Sequence, residues 1–123
     1  MLALPSNVKL FLADSATDFR KSFDGLAAIV ENEFRMNVLD GHVFIFLNRR
    51  GNQVKILFWE RDGLCLVAKR LESGTFRRIK REGCTAAHLE IDAAELVFLL
   101  EGIEVQEVKR RKRYIAAARN SSE

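Results

Sequence analysis

Three consecutive runs of strand-forming residues constrain this chain more than any other feature. They span residues 43–48, 54–60 and 64–70, and turn-forming residues separate them. Runs of β-branched and aromatic residues bounded by Gly, Asn and Asp are typical of antiparallel strands joined by short turns. The sequence therefore predicts a three-stranded β meander.

The pair Asp62-Gly63 is the sharpest turn signal in the chain. A two-residue hairpin loop of the commonest type needs positive φ at both positions, and Asp-Gly tolerates this backbone. We expect these two residues to form the loop, so that Arg61 faces Leu64. The earlier turn, around Gly51, can hold two or four residues without changing which side chains share a face.

This register divides the side chains of the meander between two apolar faces. One face holds Val43, Ile45, Leu47, Val54, Ile56, Phe58, Cys65 and Val67. The other face holds Phe44, Phe46, Lys55, Leu57, Trp59, Leu66, Ala68 and Arg70. Because both faces are apolar, both need a cover. A helix can cover one of them, and the other needs the C-terminal helix, a partner chain or a ligand.

Two helices and a first strand are predicted outside the meander. Residues 8–13 form a short apolar run typical of a strand, and an apolar stripe over residues 18–35 predicts a long helix capped by Ser15 or Thr17. Asp92 followed by Glu95 is typical of a capping box, which indicates a short helix that ends before Gly102. Residues 75–81 are short and basic, and we interpret them as an edge strand.

These elements predict an α+β fold: a small single domain in which an antiparallel β meander packs against one long helix, with a short C-terminal helix. We expect the domain to span residues 1–108 and a basic, partly disordered tail to span residues 109–123. A length of 123 residues suits a single core.

Several function classes find no support in the sequence. No apolar run reaches the about 20 residues that span a bilayer, so we expect a cytoplasmic protein without a membrane partner. Cys65 and Cys84, together with His42 and His88, form no paired ligand motif, so we expect no metal and no other cofactor. The carboxylates fall mostly in caps and turns and show no catalytic signature. We therefore expect no enzyme.

Charge is distributed unevenly along the chain, whose net charge is +3. Residues 43–82 hold ten basic and four acidic groups, whereas residues 83–108 hold six acidic groups and no Lys or Arg. Five consecutive cations follow at residues 109–113. Clustered cations favour contact with nucleic acid, although many such runs are merely solvated faces or tails.

Five short motifs, in this order along the chain, resemble those of one family. They are TDFRK at 17–21, VFIFLNRR at 43–50, KILFW at 55–59, DG at 62–63 and KRLESGTF at 69–76. They resemble the TnpB-type accessory protein, the product of the second reading frame, of the insertion-sequence sixty-six family. The resemblance covers about residues 8–80. It implies a bacterial, nucleoid-associated, non-catalytic role in transposition, beside a larger transposase and another small element-encoded accessory protein.

The candidate nucleic-acid contacts are cations. Most of them fall in predicted loops and in the tail, where their side chains are exposed and can reach phosphate groups. They are Arg20, Lys21, Arg49, Arg50, Lys55, Arg70, Arg77, Arg78, Lys80, Arg81, Lys109, Arg110, Arg111, Lys112 and Arg113.

Arg20 and Lys21 fall in the first turn of the predicted long helix, where the helix dipole disfavours each cation by roughly 0.3–1 kcal/mol. Local rules tend to be broken at functional sites, and backbone N–H groups at a helix start can hold a phosphate. Alternatively, Arg20 forms an ion pair with Asp14, Asp18 or Asp24.

Phe44, Phe46 and Trp59 share the meander face that also carries Lys55 and Arg70. Aromatic rings among cations are typical of surfaces on which single-stranded nucleic acid stacks. Alternatively, the rings build the core, with the Lys and Arg stems packed beside them, or they form a protein interface.

Two functional hypotheses follow. In the first, the protein binds DNA at the element ends through these cations and helps the transposase engage them. In the second, it is an adaptor or a homo-oligomerising module without direct DNA contact, which docks through the aromatic face or through the acidic helix over residues 92–101.

Overall fold

A five-stranded mixed sheet with strand order β4-β3-β2-β1-β5 organises the chain. The computed structural model describes residues 7–83 and 86–102. Its elements are β1 (Leu10–Ala13), α1 (Phe23–Asn32), a 3₁₀ helix (Val38–Asp40), β2 (Val43–Leu47), β3 (Gln53–Glu60), β4 (Gly63–Arg70), β5 (His88–Ile91) and α2 (Ala93–Glu101). This architecture confirms the predicted α+β class.

The predicted meander is confirmed, since β2 pairs antiparallel with β3 and β3 pairs antiparallel with β4. The first strand lies beside β2 but runs parallel to it, with Leu10 opposite Val43. Parallel neighbours need a crossover connection, and the segment that contains α1 supplies it. β5, which the sequence did not predict, pairs antiparallel with the other side of β1.

The predicted loop of the second hairpin, Asp62-Gly63, is wrong by one residue. The pairing of β3 with β4 is therefore shifted by two residues from the predicted register. Glu60 pairs with Gly63, so the loop consists of Arg61 and Asp62, and the positive φ (55°) falls on Arg61. The turn therefore needs positive φ at one position instead of two, and Gly63 is free to join β4. Because a shift of two residues preserves parity, every meander side chain stays on its predicted face.

The predicted long helix is shorter than its apolar stripe. α1 begins at Phe23 and has 10 residues, so Arg20 and Lys21 precede the helix instead of lying in its first turn. The cause is local: an Asp18 carboxylate oxygen accepts the N–H of Arg20 (3.0 Å), and its carbonyl accepts the N–H of Lys21 (3.1 Å). Aspartate competes in this way with helix formation and favours a turn.

α1 covers one face of the sheet. Its buried residues Leu26, Ile29 and Val30 lie in one apolar cluster with Phe44 and Phe46 of β2. Both phenylalanine side chains are 0% exposed. Burial of a large apolar side chain stabilises a fold by about 1.5–3 kcal/mol, so this layer is a major part of the core.

α2 covers the opposite face, where Leu99 is fully buried in a cluster with Ile45, Val54 and Phe76. The two apolar faces predicted from the sequence are therefore covered by two helices of the same chain. From the sequence, the cover of the second face could be the C-terminal helix, a partner chain or a ligand. The structure shows the C-terminal helix there.

The basic segment predicted as an edge strand has a different role. Apart from a bridge at Thr75 it is not a strand. Phe76 donates its backbone N–H to Gly51 C=O (2.8 Å), and Arg77 donates its backbone N–H to Leu99 C=O (3.3 Å). The segment thus connects the β2–β3 loop to the end of α2. Residues 109–113 and the predicted domain boundary at residue 108 lie outside the described residues.

The capping box at the start of α2 should contribute measurably to stability. An Asp92 carboxylate oxygen accepts the Glu95 N–H (2.7 Å), and the Asp92 N–H donates to the Glu95 carboxylate (3.0 Å). We expect Asp92→Ala to lower the free energy of unfolding by about 1 kcal/mol, because it removes the N-cap of the helix that packs Leu99 into the core. Urea denaturation measures this. Glu90→Ala, an exposed change on β5, is the matched control, and an equal loss in both variants would contradict the prediction.

Candidate nucleic-acid interface

An open cleft of about 630 Å³ lies at one end of the sheet. Residues 16–20 form one wall, and residues 48–50 with Gln53 form the other. β1 and β2 are parallel, so their C-terminal ends meet at the same edge of the sheet. The loops that follow these two strands are therefore neighbours, although about thirty residues separate them in sequence.

Hydrogen bonds fix both walls of the cleft. Thr17, which is buried, donates its N–H to Leu47 C=O (2.9 Å) and ties the first loop to the end of β2. The Asn48 side chain accepts the Gln53 N–H (2.9 Å) and donates to the Asn52 side chain (2.8 Å). The β2–β3 loop is therefore held in one shape from within.

Arg49 and Arg50 lie at the outer side of this loop and are exposed. Arg78 supports the loop from below, because its guanidinium donates to Asn48 C=O (3.1 Å) and Arg49 C=O (3.4 Å). Neither Arg49 nor Arg50 has a side-chain ion pair or hydrogen bond within the described part of the chain. The loop thus presents two free guanidinium groups on an ordered backbone.

Arg20 faces this pair from the other wall and is bound to Asp18. Its Nε and Nη2 atoms donate to the carboxylate at 3.0 and 2.6 Å, which is the ion pair that the sequence offered as an alternative. The hydrogen bonds from Arg20 lower the pKa of Asp18 to about 2, and the same contact raises the pKa of Arg20. The carboxylate is therefore ionised at neutral pH. The Arg20 side chain remains 91% exposed, so part of its donor set still faces solvent.

Lys55 is a support for the cleft instead of a free cation. Its ammonium donates to Phe19 C=O (3.1 Å) and Lys21 C=O (2.8 Å) and lies 4.8 Å from the centre of the Phe19 ring. These contacts fix the turn that carries Arg20. Three carbonyl and ring contacts leave Lys55 poorly placed to bind a phosphate.

Most of the other candidate cations in the described ranges have partners within the chain. Arg70 pairs with Glu72 (3.3 Å), Lys80 with Asp14 (3.7 Å), Arg81 with Glu95 (2.9 Å), and the Arg77 guanidinium lies 4.4 Å from the centre of the Phe98 ring. The cleft therefore brings together Arg20, Arg49 and Arg50 from the larger predicted set, with Lys21 next to it in sequence. Lys109, Arg110, Arg111, Lys112 and Arg113 lie outside the described residues.

The aromatic residues proposed for stacking do not form a surface. Phe44 and Phe46 are 0% exposed because α1 covers them, and Phe46 stacks on Phe34 with ring centroids 5.9 Å apart. Trp59 is partly buried. The face that carries these rings is core, as the alternative interpretation held, and the two phenylalanines cannot contact a base.

No sequence pattern assigned Thr17, Asn48 or Gln53 a role at a binding site, although these residues shape the cleft. A run of Asn, Arg, Arg, Gly and Asn directly after a strand was the available signal, since Asn and Gly favour turns. The β2–β3 loop lies beside the loop of residues 16–20 because β1 and β2 pair in parallel, and no local sequence pattern predicted this pairing.

The described residues contain neither a group of metal-ligating side chains nor a membrane-spanning helix. In residues 7–83 and 86–102, no three His, Cys, Asp or Glu side chains are placed to share a metal ion. Desolvation and the Glu60 carboxylate raise the pKa of the Cys65 thiol, which does not favour a nucleophile. Cys84 lies outside the described residues. No helix within the described ranges is long and apolar enough to cross a bilayer.

Comparison with known proteins identifies relatives along most of the chain. Two are proteins of Sinorhizobium fredii (strain NBRC 101917 / NGR234), uncharacterized protein y4hO and uncharacterized protein y4jC. The first is 38% identical over 104 residues, which cover 85% of this chain and 88% of the relative. The second is 27% identical over 112 residues, which cover 90% and 92%. No solved structure matches.

A model of the family described as IS66 Orf2-like protein matches residues 8–110. The match extends beyond the motifs at residues 17–76 and includes the whole sheet, both helices and both walls of the cleft. The resemblance inferred from the motifs is confirmed: this chain belongs to the IS66 Orf2-like family of insertion-sequence proteins.

Proposed function

We propose that this protein is a non-catalytic accessory factor of transposition that binds the phosphate backbone of DNA at the cleft. The observation that carries the proposal is the β2–β3 loop, which holds Arg49 and Arg50 exposed and free of acidic partners while Asn48 and Arg78 fix its backbone. A fixed loop lowers the entropy lost on binding. Family membership supplies the transposition context.

The chemistry of the cleft suits phosphates. A guanidinium group presents a planar fork of donors that matches two phosphate oxygens, and it stays charged at any physiological pH. Arg20 adds a third guanidinium from the opposite wall, and Asp18 is the one acidic residue among the described residues that line the cleft. Contacts of this kind position a protein on DNA without reading its sequence.

The partners proposed with this function are DNA at the element ends, the transposase and the other accessory protein of the element. The five cations of residues 109–113 would add to the electrostatic attraction. Such attraction to DNA would place the protein at the nucleoid.

Removal of the two loop arginines tests the proposal. We expect Arg49→Ala/Arg50→Ala to weaken binding to element-end duplex DNA and to reduce the slope of log affinity against log salt by about 2, since each phosphate contact contributes about 0.9. Fluorescence anisotropy from about 50 to 200 mM salt measures both quantities.

The matched control removes two exposed lysines outside the cleft that, like the two arginines, have no side-chain ion pair in the described part of the chain. Lys9→Ala/Lys69→Ala changes the net charge equally but leaves the cleft intact. If both double variants lose affinity to the same degree, the cleft is not the DNA site and the binding is a general effect of charge.

Neutralisation of the acidic residue in the cleft should act in the opposite direction. Asp18→Asn keeps an oxygen for the Arg20 N–H but removes the charge that holds the guanidinium, so we expect DNA affinity to rise by roughly two- to fivefold. Because the pKa of Asp18 is about 2, the gain should be the same from pH 5 to pH 8. Asp40→Asn, at an exposed position of the 3₁₀ helix, is the control. A loss of affinity, or an equal gain in the control, would contradict the role of Arg20.

A second candidate function is docking on the transposase through α2. This helix exposes Phe98 (49%) and also Val97 (59%), which lies at the rim of the apolar groove between α2 and the sheet; apolar side chains of this kind are found in protein interfaces. We expect Val97→Asp to reduce co-purification with the transposase while DNA binding is retained. Unchanged co-purification would exclude α2 as the docking element.

A further inference from the structure

Among the residues that the structure describes, β4 is an edge strand, and no other strand pairs with its outer side. It pairs with β3 through eight consecutive residues, and Leu71 N–H extends the ladder by donating to Asn52 C=O (2.8 Å). Hydrogen bonding alternates along an antiparallel strand, so the odd-numbered residues of β4 direct their backbone groups toward β3. Leu64, Leu66, Ala68 and Arg70 direct their N–H and C=O groups away from the sheet.

The first part of this edge, residues 64–68, lacks the devices that keep edge strands apart, and charges occur only at its end, at Lys69 and Arg70. Residues 64–68 are all uncharged, and the pairing contains no bulge and no proline. Natural edge strands are usually short, twisted by a bulge or interrupted by charges, because open backbone groups recruit another strand. Val67 is 41% exposed at the middle of the edge. The edge is therefore built to accept a strand.

We propose that a second copy of this chain pairs with it along β4, antiparallel, about a two-fold axis at Leu66. Two-fold dimers are the commonest assemblies of identical chains, and antiparallel pairing of one strand with itself satisfies that symmetry. The outward backbone groups of Leu64 and Ala68 then bond to those of the partner's Ala68 and Leu64.

The uncharged residues of β4 select this register. With the axis at Leu66, residues 64–68 pair entirely with one another, and all of them lie within the strand. An axis at Val67 would place Lys69 opposite the partner's Cys65 and Arg70 opposite the partner's Leu64. An axis at Cys65 would place Ala68 opposite the partner's Asp62, which lies in the hairpin loop and not in a strand.

The surface beside the edge continues the same interface. An apolar groove of about 330 Å³ lies between α2 and the sheet, and Ile56, Val67 and Leu96 are among the residues that line it. In the proposed register Val67 lies opposite the partner's Cys65 on this face. Each copy therefore extends the apolar floor of the groove of the other.

Disulfide cross-linking tests the register directly. In the full chain with Val67→Cys and Cys84→Ser, the introduced thiol lies opposite the partner's Cys65, in a pair that is not hydrogen-bonded across the interface. Such pairs have Cα atoms about 4.5 Å apart, within the range of disulfides. We expect oxidised glutathione at about pH 8.5 to convert most of the protein to a covalent dimer, because alkaline pH increases the fraction of the thiols present as the reactive thiolate.

Ala68→Cys with Cys84→Ser is the matched control, since its thiol points to the other face of the sheet and lies opposite the partner's Leu64. We expect this variant to remain monomeric on a non-reducing gel. Equal cross-linking in both variants, or none with Val67→Cys, would overturn the proposal.

Light scattering of the native chain supplies a second measurement. We expect the unmodified protein at about 50 μM to have twice the mass of the 14.0 kDa chain, and Val67→Lys to have the monomer mass because its ammonium group opposes the partner's Cys65. A monomeric native protein would refute the pairing. Neither assay contains DNA, so a failure of the dimer proposal is distinguishable from a failure of the proposed DNA binding at the cleft.

Discussion

The alternation of side chains along the meander governs this structure. Because both faces of β2 and β3 are apolar, the sheet is stable only between two layers, and the chain supplies α1 for one and α2 for the other. The position of α1 between β1 and β2 in the sequence makes its segment a crossover, which permits β1 to lie parallel to β2. The parallel pair then brings the loops that follow both strands to one edge. The cleft is a consequence of how the core is covered.

Features set by parity or by neighbouring residues could be predicted from the sequence. The loop is Arg61-Asp62 and not the predicted Asp62-Gly63, which shifts the pairing of β3 with β4 by two residues. The two faces are nevertheless as predicted, because a register shift of two residues preserves the alternation of side chains. The capping box of α2 and the Arg20–Asp18 pair join residues within three positions of each other, so both could be predicted from the sequence. The pairing of β1 with β2 and β5 joins segments far apart in sequence, and residues 88–91 are too few to show a period. For this reason the cleft was not foreseen although its arginines were.

The cations of this protein serve two purposes that sequence alone does not separate. Lys55, Arg78 and Lys80 each donate to backbone carbonyl groups of distant loops, so their charges help hold the fold together. Arg49 and Arg50 lie in the same basic region yet have no side-chain ion pair or hydrogen bond among the described residues. The number of cations in a segment therefore indicates little about how many of them can meet a ligand. The backbone carbonyl groups in reach of each side chain decide that.

Residues 76–78 join α2 to the β2–β3 loop of the cleft. The Phe76 N–H bonds to Gly51 and the Arg78 guanidinium to Asn48, both in the loop of the cleft, while the Arg77 N–H bonds to Leu99 near the end of α2. Three adjacent residues thus connect the helix that covers one face of the sheet to the loop that holds the free arginines. A protein bound to α2 and a DNA molecule bound to the loop would act on the same short segment. Any change in free energy that one ligand imposes on the other through it must be reciprocal, so the geometry provides a route for allosteric coupling.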